Sequence, residues 1–149
     1  MQLSIRVLIV ADVRFYRDGL ADTIARHPRC NVVATASSRA DAVDRVRETD
    51  PDIVLIDTAM HEGLVAAAEI VASAPNTKVV AIALDETAHA VLEWAEVGAS
   101  SYVPRDASLA ELIAAIERTA RGELQCSAQV AAGMIRRVWA LAQLSLIHI

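Results

Sequence analysis

Along the chain, short apolar runs alternate with longer stretches in which apolar residues recur every three or four positions. "IRVLIV" (5–10) is broken only by Arg6 and predicts a strand buried on both faces. "YRDGLADTIARH" (16–27) predicts a helix, and "NVVATA" (31–36) a second strand. "SRADAVDRVRET" (38–49) predicts a helix with Ala42, Val43 and Val46 turned inward. "DIVLI" (52–56) predicts the third strand, and "GLVAAAEIVASA" (63–74) a helix halted by Pro75. "KVVAIAL" (78–84) predicts the fourth strand. The helix predicted over "ETAHAVLEWAEVG" (86–98) ends at Gly98, where a left-handed residue closes a helix cheaply. "SSYV" (100–103) predicts a short fifth strand. "SLAELIAAIERTARG" (108–122) opens on Ser108 with Glu111 three residues later, a capping-box pattern, and closes at Gly122.

Five strand-then-helix units with near-continuous apolar strands imply a parallel sheet covered on both faces. The predicted class is α/β: a flavodoxin-like (βα)5 three-layer sandwich with strand order 2-1-3-4-5. It is assigned to residues 1–122. Residues 123–143 follow as a linker helix. In it, "SAQVAAGMIRRVWALAQ" (127–143) sets Val130, Met134, Val138 and Leu141 on one stripe. That stripe suits an oligomer contact, or a helix packed back on the domain. The last six residues, "LSLIHI" (144–149), resemble the translation of an adapter used to prepare sequencing libraries. They are expected to be a non-native tail, with the gene continuing beyond Gln143.

Composition narrows the function. The 149 residues are 54% hydrophobic and only 3% aromatic, so the core is expected to be aliphatic. Net charge is −5, with 14 Lys and Arg against 19 Asp and Glu, which argues against nucleic-acid binding by this piece alone. Cys30 and Cys126 have no ligand spacing and read as reduced intracellular thiols. No apolar run reaches membrane-spanning length and no signal peptide is evident, so a cytoplasmic protein without membrane contact is expected.

In an open parallel sheet, ligands sit beyond the carboxyl ends of the strands, where strand order reverses. For order 2-1-3-4-5 that crevice lies between strands 1 and 3. Strand 1 ends at Val10 with Ala11 and Asp12 behind it, and strand 3 runs into Asp57. Two carboxylates therefore converge from distant parts of the chain. Like charges that close need a proton or a cation, and Mg²⁺ suits them as a hard, oxygen-seeking ion.

With these residues in view, the chain resembles the receiver domain of two-component response regulators of the NarL/LuxR type. "IRVLIVADVRFYRDGL" resembles that family's opening, "DIVLIDTAM" its phosphoacceptor strand, and "VGASSYVPRDASLAELIAAIERTARGE" the end of its receiver. The resemblance runs from about residue 4 to about residue 143. It implies that Asp57 is the phosphoacceptor, that Asp12 binds Mg²⁺ directly, and that the Ala59 carbonyl is a further metal ligand. It implies that Tyr102 is the aromatic switch residue. A sensor histidine kinase is the implied phosphoryl donor and a homodimer the implied assembly. DNA would be met only through a C-terminal helix-turn-helix domain absent from this chain, which would regulate transcription and not act as an enzyme.

Three positions depart from the family pattern. Ala11 replaces the first acid of the pair, Ala83 the Ser or Thr at the end of strand 4, and Arg105 the Lys after strand 5. His61 also stands where a Pro is usual. A lost hydroxyl costs one hydrogen bond to a charged group, on the order of 1.5–3 kcal/mol. Arg keeps the charge of Lys as a wide planar fork. With Ala83 nothing pulls on the strand-5 aromatic, so phosphorylation and conformational change are expected to be uncoupled.

Plainer readings stand beside these. Asp12 would serve as a helix cap, Tyr102 as a half-buried strand residue, and Arg105 as the partner of Asp57 or Asp12 in a permanent ion pair. His61 suits a solvated loop better than a metal site. Trp94 and Trp139 read as packing residues, and Arg136–Arg137 as a solvated helix face. The competing classes are a stand-alone receiver-like interaction module and a small-molecule-binding flavodoxin-like domain. "ADVRFYRDG" lacks the Gly-rich phosphate loop that the latter would want.

Overall fold

The computed structural model describes residues 4–123 and 136–144. Ten elements alternate: β1 (Ile5–Val10), α1 (Arg14–Ala25), β2 (Cys30–Ala36), α2 (Arg39–Thr49), β3 (Ile53–Asp57), α3 (Gly63–Ser73), β4 (Lys78–Leu84), α4 (Ala88–Glu96), β5 (Ser101–Pro104) and α5 (Leu109–Ala120). All strand pairs are parallel, in the order β2-β1-β3-β4-β5.

The inner strands are apolar at nearly every position because both faces are covered, and successive side chains go to opposite layers. Leu8, Val10, Val54 and Ile56 pack with Ala42, Val46, Ile70 and Trp94 from α2, α3 and α4. Val7, Ile9, Ile53 and Leu55 pack with Ile24, Ile113 and Ile116 from α1 and α5. Each fully buried Ile or Leu contributes about 1.5–3 kcal/mol. The sheet therefore stays in register, and the ends of its strands are held as fixed platforms.

Hydroxyl caps start three helices. Ser38 accepts from the Asp41 N–H (3.2 Å), Thr87 from Ala90 (3.2 Å) and Ser108 from Glu111 (3.1 Å). Ser108 thus forms its half of the expected capping box. Among the described residues Glu111 returns no bond to it. Gly98 closes α4 at φ +100, and an added Cβ there would meet a Val71 methyl at 2.8 Å.

Several boundaries differ from expectation. α1 begins at Arg14 and ends at Ala25, not 16–27, because its start carries no side-chain cap to read. β3 takes in Asp57 and leaves out Asp52, whose carboxylate turns back to accept from the Arg6 N–H at 2.9 Å. α4 starts after its Thr87 cap, so Glu86 lies outside it. β5 extends to Pro104, tolerated because this strand is at the sheet edge.

Residues 136–144 are helical. Val138, Trp139, Leu141 and Leu144 are exposed there, so Trp139 is not the packing residue expected, although Trp94 is. Arg137 is ion-paired with Glu96 at 2.9 Å. Val130, Met134, Cys126 and residues 145–149 lie outside the described residues. Among the described residues no helix is long and apolar enough to cross a membrane.

Candidate functional site

Asp57 ends β3 and is only 6% exposed. Its Oδ1 accepts from the Ala59 N–H at 3.0 Å, and its carbonyl accepts from Met60 at 3.2 Å, so the chain turns tightly behind it. Gly63 lets α3 begin close by. A Cβ there would sit 3.3 Å from the Asp57 carbonyl oxygen and 3.4 Å from Trp94. Glu62, just before, is left-handed at φ 59 and is ion-paired with Arg39 (2.6 Å), which also pairs with Glu69. Arg39 thereby straps the turn after Asp57 to α2 and α3.

Asp12 leaves β1 at the same end of the sheet, since Val10 is paired with Ile56. It does not cap α1, whose N-cap residue is Val13. Its Oδ2 accepts instead from the His61 N–H across the crevice, at a long 3.5 Å. The two acids thus share one mouth. Ala11 is fully buried. Its carbonyl accepts from the Arg17 guanidinium at 2.8 Å and its N–H donates to Ala36 at 3.1 Å, so the backbone is held but no second acid is offered. His61 is exposed beside Glu62, as a solvated loop His should be. Among the described residues, no three of His, Cys, Asp and Glu gather as a metal cluster.

The opposite wall is unusual. Ala83 adopts φ 56, a left-handed conformation rare for a residue with a Cβ, and the β4–β5 register shifts between Ala81 and Leu84. The Thr58 hydroxyl donates to the Ala83 carbonyl at 2.8 Å, and the Thr58 N–H to Ile82 at 3.1 Å. A hydroxyl is therefore present beside Asp57, but it is engaged with the backbone.

Arg105 follows β5. Its guanidinium meets Asp85 at 3.2 Å, with both groups largely in solvent, and not Asp57 or Asp12. The register shift explains this. Leu84 lies opposite Pro104, so the next residue on each strand, Asp85 and Arg105, comes level. Tyr102 is half-buried and packs against the α2–α4 core, lining a cavity of about 20 Å³ with Val91 and Trp94. Burial, and then the charge of Glu86, push its phenol above the ordinary value.

Two residues at this end of the sheet were not singled out from the sequence: Thr58, next to Asp57, and Tyr16. Tyr16, on α1, is half-buried, and its phenol is pushed up by burial and then by the Asp57 carboxylate. Nothing in the linear pattern marks it, because only folding brings α1 to the end of β4. An open groove of about 450 Å³ lies on the α3–α4 side, lined by Thr58, Met60, Gly63, Leu84, Asp85 and Trp94.

A doubly covered parallel sheet with a buried acid at the end of β3, and another beyond β1, is the frame of a signalling receiver. Residues 7–117 match the family model described as the response regulator receiver domain, and this chain belongs to that family. It is 34% identical over 129 residues to the response regulator GacA of Pseudomonas viridiflava, covering 85% of this chain and 60% of that protein. It is 34% identical to the transcriptional regulatory protein YxjL of Bacillus subtilis, covering 80% and 56%. It superposes on a LuxR-family two-component response regulator from Aurantimonas sp. SI85-9A1 with TM-score 0.78 and 29% identity, over 90% of this chain and 97% of that one. The NarL receiver domain of Mycobacterium tuberculosis gives TM-score 0.74 at 27% identity, over 80% and 98%. The chain spans somewhat over half the length of the curated relatives it matches. It is a two-component receiver of the LuxR/NarL type.

Proposed function

We propose that this receiver accepts a phosphoryl group on Asp57 in a depleted site, so that modification is slow and weakly coupled to conformational change. One observation carries the reading: buried Asp57 and solvent-facing Asp12 share a crevice bridged by the His61 N–H. Asp57 acts as the nucleophile. Its buried carboxylate is held by the Ala59 N–H, which fixes the attacking group without neutralising it.

The donor set suits Mg²⁺. Asp12, Asp57 and the Ala59 carbonyl are all hard oxygens, and an ion that keeps several waters needs no more from the protein. When bound, Mg²⁺ neutralises charge on the transferring phosphoryl oxygens. With Ala11 in place of an acid, its affinity is reduced. Arg105 is drawn to Asp85 and gives the phosphoryl group little positive charge. Ala83 offers no hydroxyl, and Tyr102 already rests on the core, so a phosphoryl group has no lever on it.

In the longer protein, residues 1–122 form the receiver and 123–143 the linker helix; residues 144–149, as a non-native tail, are not part of it. The remainder is a DNA-binding helix-turn-helix that regulates transcription in the cytoplasm. A sensor histidine kinase docks at the crevice end, where Val13, Phe15 (84% exposed) and Leu109 present apolar surface. Homodimerisation uses the exposed apolar residues of the linker helix, Val138, Trp139 and Leu141.

The test is intact mass after incubation with acetyl phosphate and Mg²⁺. Slow, partial addition of one phosphoryl group, abolished by Asp57→Asn, is expected. Equal labelling of Asp57→Asn refutes the assignment of Asp57.

A further inference from the structure

The resemblance implies a hydroxyl at the end of β4, where this chain has Ala83, yet another hydroxyl, on α1, faces the same strand. Tyr16 lies in the first turn of α1 and lines a cavity of about 290 Å³ with Ile82, Ala83, Pro104, Arg105 and Leu20. Ile82 is the β4 residue paired with Asp57, so Tyr16 faces the strand step that flanks the phosphoacceptor. The nearness is also electrostatic, since the Asp57 charge acts on the phenol. Among the described residues the Tyr16 hydroxyl makes no hydrogen bond, whereas the Thr58 hydroxyl is held by Ala83. Among the described residues the phenolic O–H is thus an uncommitted neutral donor facing the β4 residue that is paired with Asp57.

We infer that Tyr16 is the donor that replaces the missing hydroxyl: its O–H donates to a non-bridging oxygen of the phosphoryl group on Asp57. This rests on the reading of Asp57 as phosphoacceptor and adds to it a residue that touches the transferred group. In the step itself, a carboxylate oxygen of Asp57 attacks phosphorus in acetyl phosphate. The new P–O bond forms as the bond from phosphorus to the acetyl oxygen breaks. Acetate leaves with the electron pair. Tyr16 keeps its proton throughout and contributes a charge-assisted hydrogen bond.

The probe is beryllium fluoride with Mg²⁺, a phosphoryl mimic, titrated into the 149-residue chain and followed by fluorine NMR. The wild type binds and Asp57→Asn does not. Tyr16→Phe binds about 10- to 100-fold more weakly, the loss of one hydrogen bond to a charged group. Its thermal midpoint stays at the wild-type value, because the removed hydroxyl has no partner among the described residues. Undiminished binding by Tyr16→Phe overturns the inference while leaving Asp57 as the acceptor. A weakened variant whose midpoint also falls by several degrees overturns it too, since the hydroxyl is then a structural one. Failure of the wild type to bind overturns both this inference and the acceptor reading.

Discussion

Ala83 is the position where fold and site bear on each other, and substitutions there have a computable order. At φ 56 a residue with a Cβ is in the left-handed region, at a cost of about 1–2 kcal/mol. Glycine removes that cost. Against the gain stand about 0.4–1 kcal/mol for the freer unfolded chain, and a fraction of about 0.8 kcal/mol for the half-buried methyl. Ala83→Gly is therefore expected to stabilise by about 0.5 kcal/mol. Threonine fares worst, because a β-branched side chain in this conformation adds roughly 1 kcal/mol of strain. The Thr58 hydroxyl bonds the Ala83 carbonyl and is indifferent to the side chain at 83, so the anchor survives every substitution. The Gly-to-Thr difference, about 1.5 kcal/mol, corresponds to about 5 °C in Tm for a domain of this size. Thermal unfolding by circular dichroism should rank Gly above Ala above Thr. If Thr proves the most stable and Gly the least, β4 runs straight through residue 83 and the register shift is wrong.

Other outcomes follow from single contacts. Thr119→Val should destabilise by about 1–3 kcal/mol in urea unfolding by stranding the buried Ser101 hydroxyl, and adding Ser101→Ala should recover part of the loss; a neutral single variant contradicts the pairing. Arg39→Ala should lower the urea midpoint at low salt, with the difference shrinking at high salt, because it releases Glu62 and Glu69 at the surface; a salt-independent difference contradicts the strap. The raised Tyr16 phenol contributes stability that is complete below the unfolded value of 10.0 and is lost as pH climbs through the folded one. Asp57→Asn should lower the folded value in a phenolate absorbance titration, and an unmoved curve would separate the two groups.

The sheet was legible because buried parallel strands are apolar without alternation, and each run from Ile5 to Val103 lies within a residue or two of a real strand. Helix ends were less so. The Thr87 cap of α4 carries no acid three residues on to advertise it, and α1 starts at Arg14 behind Val13, which gives no side-chain cap. The two acids were legible through strand order alone. Arg105 was not: its choice of Asp85 depends on a register shift set by one left-handed alanine, and left-handed alanine has no sequence signature. Tyr16 was missed for a similar reason. Its meaning comes from packing between α1 and the end of β4, which periodicity within one helix does not reveal.

The central claim, an acceptor Asp57 in a site short of phosphoryl-binding groups, is tested most directly by a labelling race. Wild type and the double variant Ala83→Ser/Arg105→Lys are incubated side by side with acetyl phosphate and Mg²⁺, and intact mass is followed in time. Faster and more complete phosphorylation of the double variant, with none in Asp57→Asn, is the predicted result. Rapid, stoichiometric labelling of the wild type, with no gain from the restored groups, would contradict it.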